Sequence, residues 1–307
     1  MTRVAVIGVG HLGKHHARLY AEIEGVELTG VVDVIQSRAE EFAALYKTAP
    51  YTDYRDLFGK VDAISLAVPT TDHARIGLDL LEHGIDVLVE KPISSTVEEA
   101  RKLIDAAARN NRVLQVGHVE RFNPVVKLAR EAATRPQFFE IHRLAAFSPR
   151  SLDIDVVLDL MIHDLDIVLS LVPAPVREVR AVGIPVLSPR ADIANARVEF
   201  EDGCVANLTA SRVSFEKVRK LRFFQPHDYI SVDTASQTGT MVSLRMGGVI
   251  ERKLEPPNQE PLKLELEAFV DCIRRRGIPA VSGEDGLRAL ELATRINTAI
   301  AERLMLR

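Results

Sequence analysis

The sequence predicts an α/β part with a doubly wound parallel sheet, followed by an α+β part with a large open, mainly antiparallel sheet. Three observations carry this reading. Short apolar runs alternate with helix-period segments through the first third of the chain. A glycine-rich turn, Gly8-Val9-Gly10-His11-Leu12-Gly13, joins the first apolar run to the first helical segment. Beyond about Gly117 the pattern changes to a two-residue alternation with a hairpin signal at Asp202-Gly203.

In order along the chain, Val4–Ile7, Leu28–Val32, Ala63–Ala67, Val87–Val89 and Val113–Val116 read as strands buried on both faces, as a parallel sheet requires. Between them, His15–Ile23, Ser37–Tyr46, His73–His83 and Thr96–Asn110 carry apolar residues at helical spacing. In the second part, Phe138–Leu144 and Val176–Val182 read as strands. Asn195–Phe200 alternates polar and apolar residues, turns at Asp202-Gly203 and returns as Cys204–Ala210. Leu221–Phe224, Tyr229–Val232 and Met241–Arg245 are further strands, and Leu262–Arg276 and Glu284–Leu304 are closing helices, the latter with Ser282 as its cap. The expected domains are 1–119 and 120–307.

The glycine turn points to a dinucleotide, and the arrangement of the fold is that of a Rossmann unit. The first glycine permits the tight turn, the second lets backbone approach a pyrophosphate, and the third lets the helix pack closely. The helix amides and dipole then face the phosphates, with Gly8, Gly10, His11, Leu12 and Gly13 as the cradle. Asp33 lies 20 residues past Gly13, where a carboxylate accepts hydrogen bonds from a ribose diol. A carboxylate there would repel a 2′-phosphate, so NAD is expected over NADP, with Arg38 nearby able to soften the preference.

Glu90-Lys91-Pro92 follows an apolar strand, and ligands in such sheets sit beyond the carboxyl ends of strands. Proline restricts Lys91 to an extended conformation, which aims the ammonium; the alternative is a solvated lysine paired with Glu90. Ala67, Pro69 and His73 follow the preceding strand and could line the cofactor, as could Glu90 and Lys91; alternatively Thr71 or Asp72 caps the next helix. Asp155–Val172 is apolar on nearly all sides, the mark of a buried helix, yet Asp159, His163 and Asp166 form one polar stripe. A carboxylate one turn before a histidine suits a general base. A satisfied structural network and a metal pair are the other readings, although no further local cluster completes a metal site. Arg121 and Asn123, where the two parts join, could meet cofactor or substrate, or belong to a hinge held by ion pairs. His15-His16 reads as a solvated helix face, and Arg274-Arg275-Arg276 as cations at a helix C-terminus.

Bulk properties narrow the partners. The 307 residues suffice for about two domains, and a net charge of −4 offers no attraction to nucleic acid or anionic membrane. The two cysteines, Cys204 and Cys272, are far apart and read as buried hydrophobes rather than a disulfide or zinc site. The first residues lead directly into a strand and no apolar stretch is long enough to span a bilayer, so a cytoplasmic location is expected by default.

Across its whole length the sequence resembles the glucose-fructose oxidoreductase / inositol dehydrogenase (Gfo/Idh/MocA-type) family of NAD(P)-dependent dehydrogenases. The resemblance rests on Gly8–Gly13, on Glu90-Lys91-Pro92, on Asp159-x-x-x-His163 and on Gly283-Glu284-Asp285-Gly286-Leu287. It implies a catalytic set of Lys91, Asp159 and His163 at the substrate. It also implies an open second-domain sheet used for homodimer or homotetramer contacts. Val156–Asp164 and His118–Pro124 look most like the branch that includes UDP-N-acetylglucosamine 3-dehydrogenases. The implied activity is NAD-dependent oxidation of a sugar hydroxyl, most closely that of a nucleotide sugar at C3; an inositol or free-sugar dehydrogenase and a non-catalytic redox sensor are the alternatives. One departure is that Asp153-Ile154-Asp155 and Met161 stand where many members have glycines, and these bulkier residues are expected to reshape the pocket.

Overall fold

The computed structural model describes residues 1–147 and 154–305. Two compact units emerge, one made of Met1–His118 and Glu260–Leu287, the other of Val119–Gln259 and Arg288–Arg307. The sequence reading assigned everything after 119 to the second domain. The segment Glu260–Leu287 instead joins the first unit, because helix α7 (Pro261–Arg275) places Leu266, Phe269, Val270 and Ile273 in the same core as Val4, Val6, Leu19 and Tyr20.

The first unit is a six-stranded parallel sheet in the order β3-β2-β1-β4-β5-β6. Its strands are β1 (Thr2–Ile7), β2 (Val26–Val32), β3 (Ala49–Tyr51), β4 (Ala63–Leu66), β5 (Asp86–Glu90) and β6 (Leu114–Gly117). The helices between them are α1 (Gly13–Glu22), α2 (Gln36–Tyr46), α3 (Thr70–Glu82) and α4 (Val97–Arg109). Strands β4, β5 and β6 are buried throughout, which is why they read as unbroken apolar runs. Strand β3 escaped the sequence reading because it has three residues with Pro50 at its centre, a composition tolerated only at a sheet edge. Helix α4 starts in a reciprocal cap between Thr96 and Glu99. Arg274 and Arg276 do more than complement a dipole: Arg274 donates to the Gly25 carbonyl (2.6 Å) and Arg276 to Asp86 (2.7 Å), tying α7 to the strands.

The second unit is an eight-stranded sheet in the order β14-β13-β12-β11-β7-β10-β9-β8. These are β7 (Phe138–Leu144), β8 (Val176–Ile184), β9 (Ile193–Phe200), β10 (Val205–Ser211), β11 (Val218–Gln225), β12 (Asp228–Asp233), β13 (Thr238–Arg245) and β14 (Gly248–Leu254). All neighbours are antiparallel except β7 and β10. On β9 the expected alternation holds: Ala194, Ala196, Val198 and Phe200 are buried, whereas Asn195 and Arg197 are exposed. The covered face packs under α5 (Pro124–Ala132), α6 (Ile162–Leu171) and the later turns of α8 (Gly283–Met305). Edge strand β14 is exposed at all but one position, which removed the alternation a sequence reading needs. Ser282 caps α8 as expected, its hydroxyl accepting from the Asp285 amide while the Asp285 carboxylate accepts from the Ser282 amide. Glycines 283 and 286 thus lie inside the first turns of α8 rather than before it. Among the described residues no helix is long and apolar enough to cross a membrane.

Candidate active site

The glycine turn is built as its chemistry demands. Gly8 has φ +85°, and a Cβ there would lie 2.7 Å from the Ala67 carbonyl oxygen, so only glycine fits between β1 and the end of β4. A Cβ on Gly13 would lie 1.8 Å from the Gly8 carbonyl oxygen, so α1 can close on the turn only without a side chain. At Gly10 a Cβ would meet nothing within 4 Å. That opening leaves room for a pyrophosphate to approach the backbone of the turn, and the residues fit a dinucleotide. His11 and Leu12 are exposed on the rim of the turn.

Asp33 is buried at the end of β2, where its carboxylate accepts from the Val9 amide (3.2 Å), the Ile35 amide (3.0 Å) and the Arg38 guanidinium (3.4 Å). A carboxylate has about four acceptor positions, so capacity for a ribose hydroxyl remains. Asp33 thereby fixes the glycine turn and Arg38 together.

Glu90-Lys91-Pro92 leaves the carboxyl end of β5. Lys91 is half-buried, and the Lys91–Pro92 bond is cis. The Glu90 carboxylate is buried rather than solvated. It accepts from His16 Nε2 (3.0 Å) and from the Lys91 backbone amide (3.2 Å). Burial alone would raise the Glu90 carboxyl, but the His16 hydrogen bond and charge, together with Lys91, outweigh it and hold it below its ordinary value. The solvated reading of His16 is therefore corrected: it is fully buried. Its register held the signal, because His16 precedes the buried Leu19, Tyr20 and Ile23 by three, four and seven residues.

His73 is also buried, with Nδ1 2.9 Å from the Pro92 carbonyl oxygen and Nε2 3.0 Å from that of Val68. Its ring is engaged with backbone instead of being turned out to line a ligand, and burial lowers its pKa despite both contacts. Ala67 borders Gly8, and the exposed Pro69 occupies the N-cap of α3 without a side-chain cap, so neither Thr71 nor Asp72 caps that helix. The first unit also has cavities of about 220 and 410 Å³ at the amino ends of its strands, lined by groups such as Arg112 and Arg276, away from the glycine turn.

In the second unit, the expected single helix over 155–172 opens instead with a π turn, Val157–Met161, before α6. Asp155 caps it, accepting from the amides of Val157 (2.9 Å) and Leu158 (3.1 Å), and accepts from Asn297 with its other oxygen. Met161 is fully buried in the core. Asp155 and Met161 thus have structural work, contrary to the expectation that they shape a pocket; Asp153 lies outside the described residues. Asp159 stands in the π turn and His163 at the second position of α6, both half-buried. A π turn has more than four residues per repeat, which brings positions four apart nearer one face, and such turns are frequent at functional sites.

Asp166 leaves the expected stripe. It is buried and receives Arg121 Nε (2.7 Å) and Nη2 (3.0 Å) in a bidentate pair. Arg143 makes a second fork to Asp164 (2.9 and 2.7 Å) and reaches Glu120 (2.8 Å), which also receives Arg219 (3.2 Å). Asn123 caps α5 and donates to Glu120 and to the Thr234 carbonyl. Arg121 and Asn123, expected at the substrate, hold α6 and α5 through these contacts. Among the described residues no group of three or more His, Cys, Asp and Glu side chains could hold a metal ion.

Residues 2–118 match the family model described as "Oxidoreductase family, NAD-binding Rossmann fold", and residues 134–225 match the GFO/IDH/MocA C-terminal domain. UDP-N-acetylglucosamine 3-dehydrogenase from Acidithiobacillus ferrooxidans is 38% identical, with 97% of each chain covered. The chain belongs to the GFO/IDH/MocA oxidoreductase family. The solved structure of that Acidithiobacillus enzyme superposes with a TM-score of 0.93, again covering 97% of each chain. The scyllo-inositol 2-dehydrogenase (NAD(+)) of Bacillus subtilis is 25% identical over 94% of this chain and 91% of its own. As a GFO/IDH/MocA member the chain is an NAD-binding oxidoreductase, in accord with the cradle at Gly8–Gly13 and the carboxylate of Asp33.

Proposed function

We propose that this chain is an NAD-dependent dehydrogenase that oxidises the C3 hydroxyl of UDP-N-acetylglucosamine. The observation that carries the reading is the 38% identity, over 97% of both chains, with an enzyme named for that reaction. In this proposal Lys91, Asp159 and His163 are the catalytic residues. Bound NAD supplies the acceptor for the hydride that leaves the substrate carbon. His163 takes the hydroxyl proton on a ring nitrogen, and Asp159 holds the imidazole in the required tautomer and orientation. Lys91 donates to the same oxygen and stabilises the negative charge that develops there. Asp33 binds the ribose diol, with the backbone of Gly8–Gly13 at the pyrophosphate. The assembly we propose is a homodimer or homotetramer through the eight-stranded sheet, acting in the cytoplasm.

The 25% match to an inositol dehydrogenase supports a second reading, oxidation of a cyclic polyol by the same residues. Both are tested by NADH formation at 340 nm with UDP-sugars, free sugars and inositols, coupled to a step that removes the keto product. Turnover of UDP-N-acetylglucosamine is expected; turnover of an inositol alone replaces the substrate and keeps the mechanism. Tight NAD binding with no turnover across the panel overturns the enzymatic reading. Lys91→Ala is expected to lower kcat by at least about 100-fold while NAD affinity by calorimetry stays within about tenfold. An unchanged kcat would remove Lys91 from the mechanism.

A further inference from the structure

Two buried histidines, from different helices, converge on the short loop that carries Lys91. His16 lies on α1 and His73 on α3, and at 0% and 1% exposure neither meets solvent. On a buried helix face a leucine or phenylalanine packs as well as an imidazole without the desolvation cost of an unpaired polar group. The cost is visible at His16, whose Nδ1 has no hydrogen-bond partner among the described residues. What the ring gains is one contact, Nε2 to the Glu90 carboxylate.

That contact reaches Lys91 in a single further step. An ionised carboxylate only accepts, so His16 Nε2 must carry a proton and donate. With Oε1 held by His16, the other carboxylate oxygen is aimed at the Lys91 backbone amide and fixes the peptide that enters the lysine. On the exit side, His73 Nδ1 lies 2.9 Å from the carbonyl oxygen of Pro92, while its Nε2 is 3.0 Å from that of Val68 at the end of β4. The Lys91 amide is thus tied to α1 through Glu90 and His16, and the Pro92 carbonyl is held by the His73 ring of α3 in the tautomer that carries its one proton on Nδ1. Misplacing a catalytic group by about 1 Å can cost on the order of 100-fold in rate.

We propose that His16 and Glu90 are positioning residues for Lys91, acting through its backbone amide, with His73 anchoring the loop at Pro92. The inference rests on the catalytic reading of Lys91 given above. It assigns to a helix histidine, remote in sequence from the lysine, a share in the turnover number rather than in cofactor affinity.

The test compares His16→Leu, His16→Gln, Lys91→Ala and the His16→Leu/Lys91→Ala double variant, using kcat, KM and calorimetric NAD affinity on the substrate that the wild type turns over. His16→Leu should lower kcat by about 10–100-fold and leave the NAD dissociation constant within about threefold. His16→Gln, whose amide can replace the Nε2 donor, should recover at least about fivefold of that loss. On the residual turnover of Lys91→Ala, His16→Leu should cost less than about twofold, since both changes then act on one group. A His16→Leu enzyme with kcat within twofold of wild type overturns the proposal, as does a full loss that persists without Lys91. If Lys91→Ala itself leaves kcat unchanged, the catalytic reading of Lys91 fails, a different and separately visible outcome. Should His16→Leu fail to bind NAD, His73→Leu carries the same test on the exit side, with the same two outcomes.

Discussion

Asp33 combines two tasks in one carboxylate. It holds the glycine turn through Val9 and Ile35, and in the proposed reading it also presents negative charge where a 2′-phosphate would have to sit. Asp33→Ser separates the two. Serine removes the repulsion and frees the Arg38 guanidinium, so kcat/KM with NADP should rise by about tenfold or more, a shift of roughly 1.4 kcal/mol. Losing one buried amide acceptor should lower stability by about 1 kcal/mol. Steady-state assays with both cofactors check the first effect and urea unfolding the second; unchanged cofactor preference would remove Asp33 from the ribose subsite. The place of Asp33 at the end of the second strand was legible because it is carried by spacing along the chain. His16 was not, because its meaning depends on Glu90, 74 positions away. Only its register with Leu19, Tyr20 and Ile23 betrayed burial, and the adjacent His15 and Lys14 masked that signal.

Between Asp155 and Val172 the sequence announced a buried segment with polar residues inside it, and that much is found. It did not announce the π turn, since no residue type codes for one, nor which partners the buried acids would take. Asp164 and Asp166 are clamped by Arg143 and Arg121, from β7 and from the turn at Val119–Phe122. These forks fix α6, and His163 rides on it. Arg121→Ala should therefore act on the element: it strands a buried Asp166 carboxylate and should destabilise the second unit by about 3–5 kcal/mol. A normal unfolding midpoint with a selectively raised substrate KM would restore Arg121 to the substrate site. The neighbouring acid Glu120 contributes to the response to pH, in the opposite sense to Asp164, whose carboxyl burial raises. Burial raises the Glu120 carboxyl, but the charge and hydrogen bond of Arg143, then Arg219 and Asn123, bring it below its ordinary 4.5. An acid with a depressed folded pKa stabilises above its unfolded value and loses that contribution as pH falls through the folded one. Unfolding free energy should accordingly decline on acidification below about pH 5, and Glu120→Gln should be less stable at pH 7 with a shallower acid slope. An identical slope in the variant would assign the acid response elsewhere.

Over the whole molecule, strand–helix alternation and two-residue alternation located both sheets, while the return of α7 to the first unit went unread. Composition cannot say which of two sheets a late amphipathic helix will cover; the buried residues of α7 decide it by packing with Val4, Val6 and Tyr20. The two cysteines report on this division, because Cys272 belongs to the first unit and Cys204 to the second. Burial pushes the Cys204 thiol up to about 12 and raises that of Cys272 as well, so neither forms the reactive thiolate at neutral pH. Both should resist a disulfide reagent in the native protein and react as urea opens each unit, with Cys204→Ser and Cys272→Ser separating the two transitions. Rapid labelling of either thiol without denaturant would contradict the buried placement.

The late arrival of α7 also matters on the ribosome. A chain that emerges N-terminus first displays all six parallel strands early, yet the part of this core that α7 closes, beside α1 and α2, stays open until Glu260–Leu287 has been made. Synthesis of the intervening Val119–Gln259 takes on the order of ten seconds at ~5–20 residues per second. For that interval the nascent nucleotide-binding unit presents an apolar surface around Val4, Val6, Leu19 and Tyr20, so chaperone occupancy during translation should be timed by α7 and not by the last parallel strand.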